Sequence, residues 1–305
     1  MEPLMEGPRR EEIARIEDLT GRRPTGFRRA AGGYTPAERW VVALEGGDRV
    51  FAKIGVDSRT AGWLRDEHRA YTVLAAEFMP RLRGWDDGER PLLLLEDLSR
   101  CCWPPPWDGP GIDRVLDALA ELRSADPGGA LPPVGEFARE LTGGWRRVAA
   151  EPEAFLSLGL ATGRWLRDNA PALAAAEDEA SIDGPFPAHL DVRSDNLCFR
   201  DGRAVLVDWN HAVVAHPDLD IAGWAPSLHA EGGPAPEEIL PGAGPLAAVI
   251  SGYFADRAGQ PVIPTAPRVR EVQLRQLRTA LPWAARALGL PPLDGPASQP
   301  LTNGG

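Results

Sequence analysis

The sequence predicts an α+β protein: a small antiparallel sheet with one main helix, followed by a larger and mainly helical part. Three observations carry that prediction. From Gly26 to Ile54 the residues alternate and break at Gly32-Gly33 and Gly46-Gly47-Asp48, as strands joined by hairpin turns require. After Ser58 the apolar spacing changes to threes and fours, with Leu64, Ala70, Tyr71 and Leu74 in helical register. Beyond about residue 100 helix-like segments separated by proline prevail.

Taken in order, Gly26–Ile54 reads as three short strands, the last being Arg49–Ile54 with Lys53 near its end. Ser58-Arg59-Thr60 offers caps for a helix from Ala61 to Phe78 that contains Glu67. Two more strands are expected at Arg81–Trp85 and Pro91–Leu95, the second running into Glu96-Asp97-Leu98. Cys102–Pro110, rich in proline and tryptophan, reads as a connector. Within the helical half, Ala188–Val207 holds a loop and two apolar runs around Asp201-Gly202, which predicts a hairpin. Leu290–Gly305 reads as a flexible tail. The expected division is therefore 1–98, a connector at 99–110, 111–289, and the tail at 290–305.

Composition narrows the function. The 305 residues, 43% hydrophobic and 25% charged, suffice for two lobes sharing a cleft. No apolar run reaches the about 18 residues of a membrane span, and the amino terminus lacks the apolar core of a signal peptide. The expectation is a cytoplasmic protein without a membrane partner. A net charge of −11 argues against nucleic acid, whose phosphates need a basic footprint, and suits a cationic small molecule. Cys101, Cys102 and Cys198 form neither a disulfide framework nor a zinc-type pair.

Lys53 is the only lysine among 33 lysines and arginines. Arginine replaces lysine wherever a planar, forked cation serves, whereas a compact ammonium on a slim stem is harder to replace, and close phosphate clamping is one such use. The hairpin carries the matching chemistry. Its entry reads His189-Leu190-Asp191-Val192-Arg193-Ser194-Asp195-Asn196 and its exit Val205-Leu206-Val207-Asp208-Trp209. Phosphoryl transfer needs a carboxylate to orient and deprotonate the attacking hydroxyl, and hard oxygen ligands to hold magnesium on the phosphates. Asp191 can be the first; Asn196 and Asp208 can be the second. A strand, a turn and a strand can bring the three together.

Those residues resemble the aminoglycoside phosphotransferase family, which includes choline-kinase-like and other small-molecule kinases. The likeness runs from Gly26 to Trp224 and implies a bilobal protein-kinase-like fold. Its H-x-D-x-x-x-x-N motif implies Asp191 as catalytic base and Asn196 as magnesium ligand; Val205–Trp209 implies Asp208 as the principal magnesium ligand. His216–Ala222 is similar to the segment whose acid, here Asp220, anchors the catalytic loop. Lys53 matches the nucleotide-phosphate lysine, Glu67 its helix-borne partner, and Glu96 to Leu98 the hinge whose backbone meets adenine. His189 is expected to brace the loop. Arg193 has two readings: it steadies charge on the transferred phosphoryl group, or it pairs with Asp195 and stiffens the loop.

The chain departs from the protein-kinase pattern at two places. No G-x-G-x-x-G loop is present; Ala31–Pro36 stands there, with Gly33 able to bring backbone N–H groups to a phosphate and Thr35 able to add a hydroxyl. About ten residues separate Asp208 from Asp218, too few for an activation segment, which favours a constitutively assembled small-molecule kinase. The expectation is a Mg2+-dependent transfer from ATP or GTP to the hydroxyl of an aminoglycoside or other antibiotic or secondary metabolite. The alternatives are a metabolic kinase acting on choline or an amino sugar, and a non-catalytic kinase-like binding protein. Trp145, Trp165, Trp224, Glu231, Glu237 and Glu238 are substrate candidates by location.

Overall fold

The computed structural model describes residues 7–30, 36–264 and 266–297. It begins with helix α1 (Arg10–Thr20) and strands β1 (Pro24–Arg29), β2 (Glu38–Leu44) and β3 (Arg49–Ile54). Helix α2 (Ser58–Leu74) and strands β4 (Leu82–Asp86) and β5 (Leu92–Glu96) follow. Then come α3 (Gly109–Ser124), α4 (Ala138–Leu141), α5 (Gly144–Ala150), α6 (Glu153–Leu156) and α7 (Gly163–Glu179). Four short strands in two antiparallel pairs precede the next helix: β6 (Phe186–Ala188), β7 (Leu197–Arg200), β8 (Arg203–Leu206) and β9 (Val213–Ala215), with β6 on β9 and β7 on β8. The chain closes with α8 (Leu219–Ala230), α9 (Pro236–Ile239), α10 (Gly244–Ala258) and α11 (Val269–Ala287). No helix among the described residues is long and apolar enough to cross a membrane.

These elements form two compact units that interleave along the chain. The first holds the chain up to Pro104 with Pro110–Leu131 and Ser194–Ala212; the second holds Pro105–Gly109, Pro132–Arg193 and the chain from Val213.

In the first unit five antiparallel strands run in the order β1-β2-β3-β5-β4. Strand alternation divides the sheet into two faces. Trp40, Val42, Leu44, Val50, Ala52, Ile54, Leu92 and Leu94 all lie on one, buried with Ile16 of α1. The opposite face carries Arg39, Val41, Phe51, Lys53, Leu93 and Leu95. Helix α2 starts at Ser58, earlier than the expected Ala61, because Asp57 is its cap: that carboxylate accepts from Thr60 N–H at 2.8 Å, while Thr60 is already inside the first turn. It ends at Leu74, ahead of the expected Phe78, with Ala75 in the left-handed region at φ 39°. Its buried stripe is Ala61, Leu64, Glu67, Ala70, Tyr71 and Leu74. A carboxylate therefore occupies a position that the 3.6-residue period would give to an apolar side chain.

The hairpin β7–β8 turns at Asp201-Gly202, both at positive φ, as a two-residue hairpin turn requires. It joins the first unit through Leu206 N–H to Phe78 O (2.8 Å) and Phe199 N–H to Cys102 O (2.8 Å), and its Cys198 and Val205 pack on Leu98. In the second unit α10 packs against α5, α7 and α11, around a core that includes Trp145, Trp165 and Trp283. The segment from Leu290, expected as tail, is tied down as far as Ala297. Pro291 O accepts from Trp165 Nε1, Asp294 accepts from Thr162 N–H and Oγ1–H at 2.7 Å each, and Ala297 N–H reaches Gly159 O.

Candidate active site

The first unit brings two carboxylates to one nitrogen. Strand alternation turns Lys53 away from the apolar face of β3, and its Nζ donates to Glu67 Oε1 at 2.8 Å, Glu67 Oε2 at 2.9 Å and Asp208 Oδ1 at 2.8 Å. The lysine side chain is 7% exposed, Glu67 1% and Asp208 32%, so the acid from the hairpin is the one open to solvent. Burial pulls the Lys53 ammonium downward, but Asp208 and Glu67 outweigh it and hold its pKa above 10.5. Lysine geometry explains the choice of residue: a small ammonium with three donors can meet two carboxylates in a narrow space, where a planar fork would not fit. Tyr71, one turn after Glu67, adds its hydroxyl to Oε1 at 3.3 Å, and burial pushes that phenol well above 10. Sequence reasoning missed Tyr71, although its place four residues after Glu67 puts it on the same helix face.

Asn196 and Asp208 stand at the open end of the β7–β8 hairpin. Leu197 faces Leu206 in register, and Val207 N–H continues the pattern to Asn196 O at 2.8 Å. Asp208 adopts φ +70°, a left-handed conformation that costs an ordinary side chain of order 1 kcal/mol or more. Trp209, fully buried, fixes the exit by donating from Nε1 to Leu206 O at 2.8 Å and by packing on Phe78 with 5.9 Å between ring centroids. One carboxylate and one amide are hard oxygen donors of the type Mg2+ takes, with water and phosphate oxygens filling the rest of its six positions. Among the described residues no group of three or more His, Cys, Asp or Glu side chains is placed to hold a metal ion.

The second unit holds Asp191 on a loop braced from beneath. After β6 the backbone N–H groups of His189 and Leu190 both donate to the Asp220 carboxylate at 2.7 Å. Burial raises the Asp220 carboxyl, while those two bonds pull it back. Leu190 sits at φ +63°, a second strained position, which the carboxylate anchor holds in place. Fully buried His189 accepts the Asp191 N–H on Nδ1 at 3.2 Å, so its ring proton lies on Nε2. Arg193 Nε lies 3.0 Å from Asp191 Oδ1, an ion pair that neither sequence reading of Arg193 included. Nothing in the sequence marks Leu190, because a leucine gives no sign of positive φ.

The remaining expected residues divide. Gly33 and Thr35 lie outside the described residues. Glu96 commits its N–H to Arg81 O at 2.9 Å and its carboxylate to Arg200, a partner the sequence did not suggest. The buried Leu98 uses its carbonyl for Cys101 N–H and Trp103 Nε1, while no acceptor for its own N–H is found among the described residues. Most of the substrate candidates have structural work. Trp145 and Trp165 are core indoles donating to Ala248 O and Pro291 O, and Trp224 is fully buried. Glu231 accepts from Trp107 Nε1, Glu237 pairs with Arg286, and Glu238 caps α9 through Ala235 N–H.

The sequence pattern of the phosphotransferase enzyme family (APH) matches residues 26–259. The chain belongs to this family. The match reaches beyond the segment from Gly26 to Trp224 over which the likeness was read. Among solved structures, a thermostable mutant of aminoglycoside phosphotransferase APH(4)-Ia aligns at 13% identity with a TM-score of 0.54, over 91% of this chain and 98% of that one. A putative fructosamine-3-kinase from Thermobifida fusca aligns at 19% identity and TM-score 0.55, over 88% and 98%. A type I macrolide 2'-phosphotransferase aligns at 16% identity and TM-score 0.50, over 93% and 95%. A search of curated proteins finds no match. At these identities the structures show the shared kinase-like fold, and the family match makes this APH-family member a small-molecule phosphotransferase.

Proposed function

We propose that this phosphotransferase moves the terminal phosphate of ATP or GTP to a hydroxyl of an aminoglycoside or another antibiotic or secondary metabolite. The observation that carries this reading is the meeting of Glu67 and Asp208 on Lys53 Nζ, which joins a cation of β3 to an acid 155 positions later in the chain. Buried ion pairs are poor stabilisers for their desolvation cost, so this one is better explained by use than by stability.

In the proposed reaction Lys53 binds nucleotide phosphate oxygens and Glu67 holds its ammonium in position. Asp208 and Asn196 would hold Mg2+, which supplies charge neutralisation at the phosphates when bound. Asp191 orients the acceptor hydroxyl and takes its proton as the acceptor oxygen bonds to the terminal phosphorus and the bond to the bridging oxygen of the leaving diphosphate breaks. Arg193, paired to Asp191, fixes the direction of that carboxylate. Leu98 N–H is the hinge donor suited to an adenine ring nitrogen. The chain's charge of −11 favours a cationic acceptor. Relatives of the fold support the choice: an APH(4)-Ia mutant has been solved as a ternary complex with ADP and hygromycin B.

The test is ADP release with Mg2+ over a panel of aminoglycosides, macrolides, choline and amino sugars. At least one antibiotic is expected to stimulate release, and Asp191→Asn is expected to lower kcat about 10²–10⁴-fold with nucleotide affinity retained. Stimulation by choline or an amino sugar alone would move the enzyme to metabolism. Absence of both nucleotide binding and stimulated turnover would sink the reading.

A further inference from the structure

We propose that Arg39 is a second phosphate-binding cation of this enzyme, placed beside Lys53 by strand register so that the two side chains together hold the nucleotide's phosphate chain. The inference rests on the nucleotide reading above and adds to it a residue that no motif marks.

Arg39 of β2 is the direct partner of Lys53 on β3. Residues opposed in an antiparallel pair share a face of the sheet, with Cβ atoms about 4.5–5.5 Å apart. This is the face turned away from the Trp40, Val42 and Ala52 core, the same one from which Lys53 reaches Glu67. One step along it, Val41, Phe51 and Leu95 form a transverse row, Val41 paired with Phe51 and Phe51 with Leu95. A step of two residues is about 6.8 Å. The face therefore presents an apolar row and then a cationic row, the order in which a nucleotide presents its base and its phosphates.

The electrostatics place Arg39 in the same neighbourhood. Burial pushes the Glu67 carboxyl up, and among the charges that pull it down is Arg39 along with Lys53. Arg39 Nη1 donates to Ala37 O at 3.1 Å, which ties one edge of the guanidinium to the start of the strand. A guanidinium recognises phosphate oxygens through two parallel N–H donors. The two cations are not redundant. Lys53 is a point charge, whereas Arg39 supplies planar, two-pronged recognition.

The test separates phosphate recognition from base recognition by titrating ATP, ADP, AMP and adenosine into the wild-type chain, Arg39→Gln and Arg39→Lys, with tryptophan fluorescence as the readout. Arg39→Gln is expected to weaken ATP about tenfold or more, the loss of one charge-assisted contact. It should leave adenosine affinity and Tm unchanged, and Arg39→Lys should recover part of the ATP affinity. Unchanged ATP affinity in Arg39→Gln overturns the proposal, as does an equal loss for ATP and adenosine, which would mark Arg39 as a strut of the sheet. Failure of the wild-type chain to bind ATP would instead overturn the nucleotide reading, and this inference with it.

Discussion

Lys53 shows how one residue can be both a weak contributor to stability and a costly one to remove. Taking two charges out of water offsets most of their attraction, yet deleting one partner strands the others. Lys53→Met is therefore expected to lower unfolding free energy by about 3–5 kcal/mol, and combining it with Glu67→Gln should lose less than the sum of the two single changes, measured by urea denaturation as a double-mutant cycle. The pH dependence has a definite sign. Because the folded pKa lies above the unfolded 10.5, the Lys53 contribution is complete below 10.5 and fades as pH rises through the folded value. The wild-type chain should accordingly lose more stability than Lys53→Met above pH 10.5; parallel alkaline losses would contradict the pair. Lys53→Arg, conservative in charge, is expected to impair nucleotide use as well. At this scale the sequence showed much. A lone lysine among arginines pointed to Lys53, and the octad His189–Asn196 with the hairpin exit Val205–Trp209 pointed to Asp191, Asn196 and Asp208, through their spacing around the hairpin. The partners Tyr71 and Arg39 and the strain at Leu190 were not legible, because they depend on helix face, cross-strand register and backbone angle.

At the scale of elements, glycine makes one contact in the second unit possible. A Cβ on Gly144, at the start of α5, would stand 2.3 Å from the backbone carbon and oxygen of Gly252 on α10. Neither is the yielding end of a side chain, so the two helices would have to separate. Gly144→Ala is expected to cost at the upper end of the about 1–3 kcal/mol typical of overpacking, seen as a lower urea midpoint with unchanged slope; an unchanged midpoint would mean the helices adjust freely. The same crossing satisfies Glu177 of α7, whose carboxylate accepts from Gly144 N–H at 3.0 Å and Trp145 N–H at 3.1 Å. The short pair β6 and β9 was not readable in advance, whereas elements with strong periodicity were: the five strands of the large sheet, α2 and the Asp201-Gly202 hairpin. Their ends were less so. Asp57 caps α2 although Ser58 and Thr60 are equally able donors and acceptors, and the choice depends on which residue takes the extended backbone. Asp294 was hidden in a Pro/Gly-rich stretch because its partner, Thr162, lies 132 positions earlier.

For the whole molecule, the order of the chain is not the order of the structure. The first unit borrows the hairpin of Ser194–Ala212, which supplies Asp208, the bond from Leu206 N–H to Phe78 O, and the Cys198 and Val205 side chains against Leu98. A fragment ending at Leu131 is thus expected to lack a cooperative thermal transition by circular dichroism, while melting at the wild-type temperature would show the hairpin to be dispensable. The change of texture near residue 100 reports local element type and not which distant segment completes a sheet's surroundings. Synthesis gives the borrowed hairpin another meaning. Lys53 and Glu67 leave the ribosome well ahead of Asp208, with 155 positions between lysine and aspartate. At about 5–20 residues per second the nascent lysine waits on the order of 8–30 s for its second carboxylate. The sheet is thus translated whole well before the acid that meets its lysine.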